Sequence, residues 1–117
     1  MEPSLQDILQ AYNDKSPLEE SFTLPASWYV DERIAALERQ YVFAGNWQAI
    51  AHAGQLQRPG QFVTAQLAGE PLVVVRSSDG QLRAFYNVCR HHAAAVVTEA
   101  EGSASIFRCP YHGWSYG

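Results

Sequence analysis

Residues 89–117 open with Cys89-Arg90-His91, run on through seventeen residues, and close with Cys109-Pro110-Tyr111-His112-Gly113-Trp114-Ser115-Tyr116-Gly117. This stretch holds both cysteines of the chain. Each Cys has a His two or three positions on, so one loop can present a thiol and an imidazole together. Thiolate is soft, anionic and stabilises ferric iron, whereas neutral imidazole is a weaker donor that favours the reduced state. Two loops of this kind can hold a two-iron centre unsymmetrically, with both thiolates on one iron and both imidazoles on the other. Other readings stand beside it. A structural zinc site can use two Cys and two His, although familiar fingers group Cys with Cys and His with His. Buried free cysteines with chance His neighbours are a second reading. A Cys/His nucleophile pair is a third, and it leaves one Cys unexplained.

Working upstream, short β-rich runs lead into the motif. Trp47–His52, Phe62–Leu67, Leu72–Arg76, Leu82–Tyr86 and Ser103–Arg108 read as strands. Arg58-Pro59-Gly60, Gly69-Glu70-Pro71, Asp79-Gly80 and Glu101-Gly102 read as the turns between them. Ser78-Asp79-Gly80 is a hairpin signal. Residues 45–117 are therefore expected to form a small antiparallel β domain, with His52 packed on its first strand and Trp47 in the core.

Residues 1–44 read differently, as a helical leader and linker. Leu5, Ile8, Leu9 and Tyr12 recur at helical spacing behind Ser4, a candidate cap with Asp7 three residues on. Asn13 to Pro17 breaks that helix, and Pro25 keeps the chain extended before Ser27-Trp28-Tyr29. A second helix is expected from Asp31 to Phe43, ended by Gly45. Trp28 is expected to pack.

The whole chain has 117 residues, which allows one domain. With 47% apolar residues it can fill a core, so wholesale disorder is excluded. A formal charge of −4 argues against a nucleic-acid partner, and the absence of a long apolar run argues against a membrane. Two Cys cannot build a disulfide scaffold. Residues 1–38 hold eight acids and two bases, with no Arg before Arg33, which is unlike a transit peptide, so a cytoplasmic location is expected.

The doubled motif with its Gly-Trp-x-Tyr tail resembles the Rieske 2Fe–2S domain of ring-hydroxylating, non-haem iron oxygenase α-subunits. The likeness extends upstream through Ser27-Trp28-Tyr29, Leu37-Glu38-Arg39 and Tyr41-Val42-Phe43-Ala44-Gly45-Asn46-Trp47-Gln48, which resemble choline monooxygenase-like members. It covers residues 24–117. The resemblance implies a mainly β, Rieske-type antiparallel sandwich or barrel with two cluster-binding loops. It also implies a 2Fe–2S cluster with Cys89 and Cys109 on one iron and His91 and His112 on the other. Backbone N–H groups around Gly113 would approach the sulfurs, and the Tyr116 hydroxyl would stand near one of them. His92 replaces the Arg of most members and reads as a surface or packing residue. Trp114 stands where respiratory Rieske subunits carry a Ser, which implies fewer hydrogen bonds to sulfur and a low-potential centre.

The family activates oxygen at a separate mononuclear iron held by two His and a carboxylate. Of four His here, only His52 and His92 remain beyond the cluster, with no paired carboxylate motif. The resemblance thus implies the N-terminal part of a larger oxygenase subunit, with mononuclear Fe(II) in a catalytic domain beyond Gly117. Implied partners are a reductase or ferredoxin donor, with Arg90 and Arg108 available to dock it, and that catalytic domain, within a homotrimer. The implied substrate is choline or a related quaternary ammonium compound. A stand-alone Rieske ferredoxin and a zinc-stabilised interaction module are the competing function classes.

Overall fold

The computed structural model describes residues 2–117. The chain divides into two compact units between Trp47 and Gln48.

In the first unit, helix α1 spans Leu5–Gln10 and is closed at its start by a reciprocal cap. Ser4 Oγ accepts the Asp7 N–H, and the Asp7 carboxylate accepts the Ser4 N–H. Helix α2, Ser27–Val30, follows Pro25, and the Trp28 indole N–H donates to the Ile8 carbonyl at 2.9 Å. Tyr12 meets the Trp28 ring edge-on, and Ile8 and Ile34 are the buried aliphatic residues. Helix α3 spans Glu32–Leu37 behind the Asp31 cap. The expected single helix to Phe43 changes pitch, because Glu38–Phe43 is wound as a π-helix. Gly45 does not end it in a left-handed conformation as expected. Instead the Asn46 side-chain amide donates to the Val42 carbonyl at 2.6 Å and satisfies one of the terminal acceptors.

In the second unit, β1 (Gln61–Leu67), β2 (Glu70–Arg76), β3 (Leu82–Tyr86) and β4 (Glu101–Ser103) form an antiparallel sheet in the order β3-β2-β1-β4. A second sheet pairs β5 (Phe107–Arg108) with β6 (Ser115–Tyr116). The mainly β, antiparallel expectation holds. The β1–β2 turn is Ala68-Gly69, both at positive φ (52° and 94°), one residue earlier than the expected turn. Such a mirror-image turn matches the right-handed twist of the strands it joins. The β2–β3 hairpin closes at Ser78-Asp79-Gly80, where Asp79 holds Arg83 through two bonds of 2.8 Å.

Phe62, Val73 and Val75 alternate onto one face of the sheet and pack with Val97, Val96, Ala104 and Phe107. Glu101-Gly102, expected as a turn, lies in β4 instead. Gly102 pairs with Phe62, and a Cβ there would come within 2.8 Å of the Phe62 ring, so the glycine makes room for a core aromatic. The expected strand Ser103–Arg108 is broken in two. Ala104 N–H donates to the Gly60 carbonyl, and the chain then leaves the first sheet for the second. Trp47–His52 forms no strand, having no ladder partner among the described residues. Trp47 is fully exposed rather than in the core. His52 is exposed too, and its Nδ1 caps a short 3₁₀ turn, Ala53–Gln55, by accepting the Gly54 N–H. No helix among the described residues is long and apolar enough to cross a membrane.

Candidate metal centre

Two loops on one end of the second unit carry the four residues. The first follows β3 and the second joins β5 to β6. Their backbones share one hydrogen-bond frame. In the first loop the Cys89 N–H donates to the Ala94 carbonyl (2.7 Å), and the Ala93 N–H donates to the Cys89 carbonyl (2.9 Å). In the second, the Cys109 N–H donates to the Trp114 carbonyl (2.8 Å), and the Gly113 N–H donates to the Cys109 carbonyl (3.0 Å). Each frame requires a left-handed residue four places after its Cys, which is Ala93 at φ 58° and Gly113 at φ 76°. Glycine adopts that conformation freely, whereas Ala93 carries the usual Cβ penalty.

Asn87 braces the first loop. It is the one buried polar residue among the described residues. Its amide donates to the Val97 carbonyl at 2.7 Å, and its carbonyl oxygen accepts the N–H groups of Val96 and Val97 at 3.1 and 2.9 Å. The Asn87 N–H donates to Pro71, which ties the loop to β2. A buried amide with every polar atom paired specifies one loop path, because any alternative leaves orphaned groups.

Both thiols are free and buried at 2% exposure, whereas His91, His92 and His112 are exposed. The Tyr116 hydroxyl lies 3.1 Å from Cys89 Sγ and accepts the Arg90 N–H at the same distance. When Cys89 is ionised the hydroxyl is the donor of this bond, because a thiolate carries no proton. This bond and the His91 N–H pull the Cys89 thiol below its ordinary range, and the Cys89 thiol in turn holds the Tyr116 phenol above its own. The result favours thiolate, the form that binds metal.

The imidazoles of the two loops gather together. His91 and His112 rings are 4.8 Å apart, and Trp114 stacks on His91 at 4.8 Å with 6° between planes. His92 lies 3.9 Å from His91 and 5.4 Å from His112. Nitrogens of the three rings fall within 4.8 Å of one another. The structure therefore brings Cys89, His91, Cys109, His112 and Tyr116 to one place, and His92 with them. His52 lies elsewhere. Arg90 and Arg108 are exposed and form no ion pair among the described residues. Two features were missed in the sequence. Asn87 offers only a short polar residue just ahead of Cys89 as a signal, and the Trp114 stack offers none, because it depends on how the two loops meet.

The donor set suits an iron–sulfur cluster. The two loops supply two buried thiols with no disulfide between them, one with its thiolate favoured by the protein, and exposed imidazoles.

Residues 46–117 match the family described as Rieske [2Fe-2S] domain. The chain is 38% identical to the chloroplastic choline monooxygenase of Arabidopsis thaliana over 96% of its own length and 26% of that protein's. It is 37% identical to the carnitine monooxygenase oxygenase subunit of Escherichia coli K12, over 84% of this chain and 26% of the relative. A solved quaternary ammonium Rieske monooxygenase in complex with gamma-butyrobetaine superposes with a TM-score of 0.77 at 34% identity, over 82% of this chain and 28% of that one. The chain thus spans about a quarter of the length of the curated relatives it matches.

Proposed function

The chain belongs to the Rieske [2Fe-2S] domain family, and from that premise we propose that it is the electron-accepting module of an oxygenase that hydroxylates a quaternary ammonium compound such as choline or a betaine. Residues 45–117 are the cluster domain and residues 1–44 its leader. Cys89 and Cys109 hold one iron, and His91 and His112 hold the other. When bound, the cluster supplies one-electron storage between a reductase or ferredoxin and a mononuclear Fe(II) site in a catalytic domain, each electron serving O2-dependent hydroxylation in a cytoplasmic homotrimer.

The residues of this chain do the rest. Tyr116 and the His91 peptide stabilise negative charge on Cys89. Burial of both sulfurs keeps water and oxidants from them. The exposed His91 and His112 edges form the face through which a partner comes close enough for electron transfer. Trp114 fixes the His91 ring plane and supplies no hydroxyl to sulfur, which supports a low-potential centre. Arg90 and Arg108 flank the loops as cationic contacts for an acidic donor.

The matched backbone frames of the two loops, with the Tyr116–Cys89 bond between them, carry this reading. The purified protein, reconstituted anaerobically, is expected to take up iron and acid-labile sulfide in equal amounts. Once reduced, it should give a rhombic low-g EPR signal. Uptake of zinc without sulfide overturns the proposal.

A further inference from the structure

His92 is the one imidazole at the centre that the ligand set above leaves unused. The shared backbone frame gives its position a meaning. Counting from each Cys, His112 is third in its loop, and in the other loop the third residue is His92, followed in both by the left-handed residue that closes the frame. His91, the second residue, has Tyr111 as its counterpart. His92 therefore holds in its loop the backbone position that His112 holds in the other.

Distance agrees with this. The His92 ring lies nearer to His91 than His112 does (3.9 against 4.8 Å), and nitrogens of all three rings lie within 4.8 Å. His91 stacks on Trp114 and His92 meets Tyr111 edge-on, and both rings are exposed. One loop thus presents two exposed, neighbouring imidazoles beside His112.

We propose that His92 is an exchangeable iron ligand that can take the place of His91 on the imidazole-bearing iron. The exchange balances without a redox step. One neutral nitrogen withdraws its lone pair, another donates one, and no proton or electron changes hands. The donor set stays two thiolates and two imidazoles, so the spectroscopic type stays the same.

This inference rests on the proposed ligand set, and its test separates the two. The purified protein and its His92→Ala, His91→Ala and double variants are reconstituted anaerobically, then assayed for iron, acid-labile sulfide and the reduced-state EPR signal. Circular dichroism of the cluster-free chains monitors folding. His92→Ala should load like the parent, His91→Ala should keep the cluster and its rhombic signal at a reduced level, and the double variant should fall about tenfold or more below His91→Ala. Loss in His91→Ala equal to that in the double variant overturns the exchange. Failure of the parent to load a cluster overturns the ligand set itself and the exchange with it. If His91→Ala does not fold, the same comparison with His91→Gln decides.

Discussion

The Tyr116 hydroxyl reaches back 27 residues to lie 3.1 Å from Cys89 Sγ, so the last strand of the unit supplies a hydrogen bond to the first cysteine loop. A hydrogen bond to sulfur stabilises the more negative, reduced state. Tyr116→Phe should therefore lower the midpoint potential of the cluster-loaded protein by roughly 60 mV, a tenfold change for a one-electron couple. Redox titration checks this, and an unchanged midpoint would place the hydroxyl outside the sulfur's influence.

The left-handed positions test the shared loop frame. Ala93→Gly should raise unfolding free energy by about 1 kcal/mol by removing a Cβ held at φ 58°. Gly113→Ala should cost about the same, and the cost is conformational because nothing lies within 4 Å of a Cβ added there. Denaturant unfolding of the cluster-free protein measures both, and the opposite signs are the diagnostic.

Asn87→Ala removes three side-chain hydrogen bonds and leaves the Val97 carbonyl and the Val96 and Val97 N–H groups without it. A loss of about 3 kcal/mol is expected. Asn87→Asp keeps the acceptor but forfeits the donor, so it should fall between parent and alanine variant in the same unfolding experiment.

The first unit should respond to acid through Asp31. Its carboxylate accepts the Arg33 guanidinium and then the Arg33 N–H, which lowers its pKa from 3.8 to about 2. A carboxylate depressed in the folded state contributes above its unfolded pKa and loses that contribution as pH falls through the folded one. Helical circular dichroism of α3 should therefore weaken between about pH 4 and pH 2. Asp31→Asn, which caps without a charge, should flatten that window, and an unchanged acid response would assign it to other carboxylates.

Much of this was open to reading in the sequence, and the exceptions share a physical cause. The Ser4–Asp7 cap, the Ser78-Asp79-Gly80 hairpin and the strands Phe62–Leu67, Leu72–Arg76 and Leu82–Tyr86 are local, and local chemistry dictates them. The mainly β family fold follows from the doubled motif. Gly102 misled because a glycine kept for an aromatic neighbour across the ladder looks like a glycine kept for a turn. Trp47 and His52 misled because β-rich composition does not supply a pairing partner. The π-helical winding of Glu38–Phe43 has no periodicity of its own to betray it. At the centre, residue type and spacing singled out the two Cys-His pairs, and the family resemblance added Tyr116. Asn87, the Trp114 stack and the approach of His92 depend on how separate segments meet, which spacing does not encode.

The repeated backbone frame has a consequence for how such a centre can change over evolutionary time. Peptide groups and one left-handed residue build each socket, and the side chains proposed as iron ligands play no part in those bonds. Donor identity is thus uncoupled from socket shape: a lineage can trade imidazole for thiolate, or shift a donor by one place, without rebuilding the architecture beneath it.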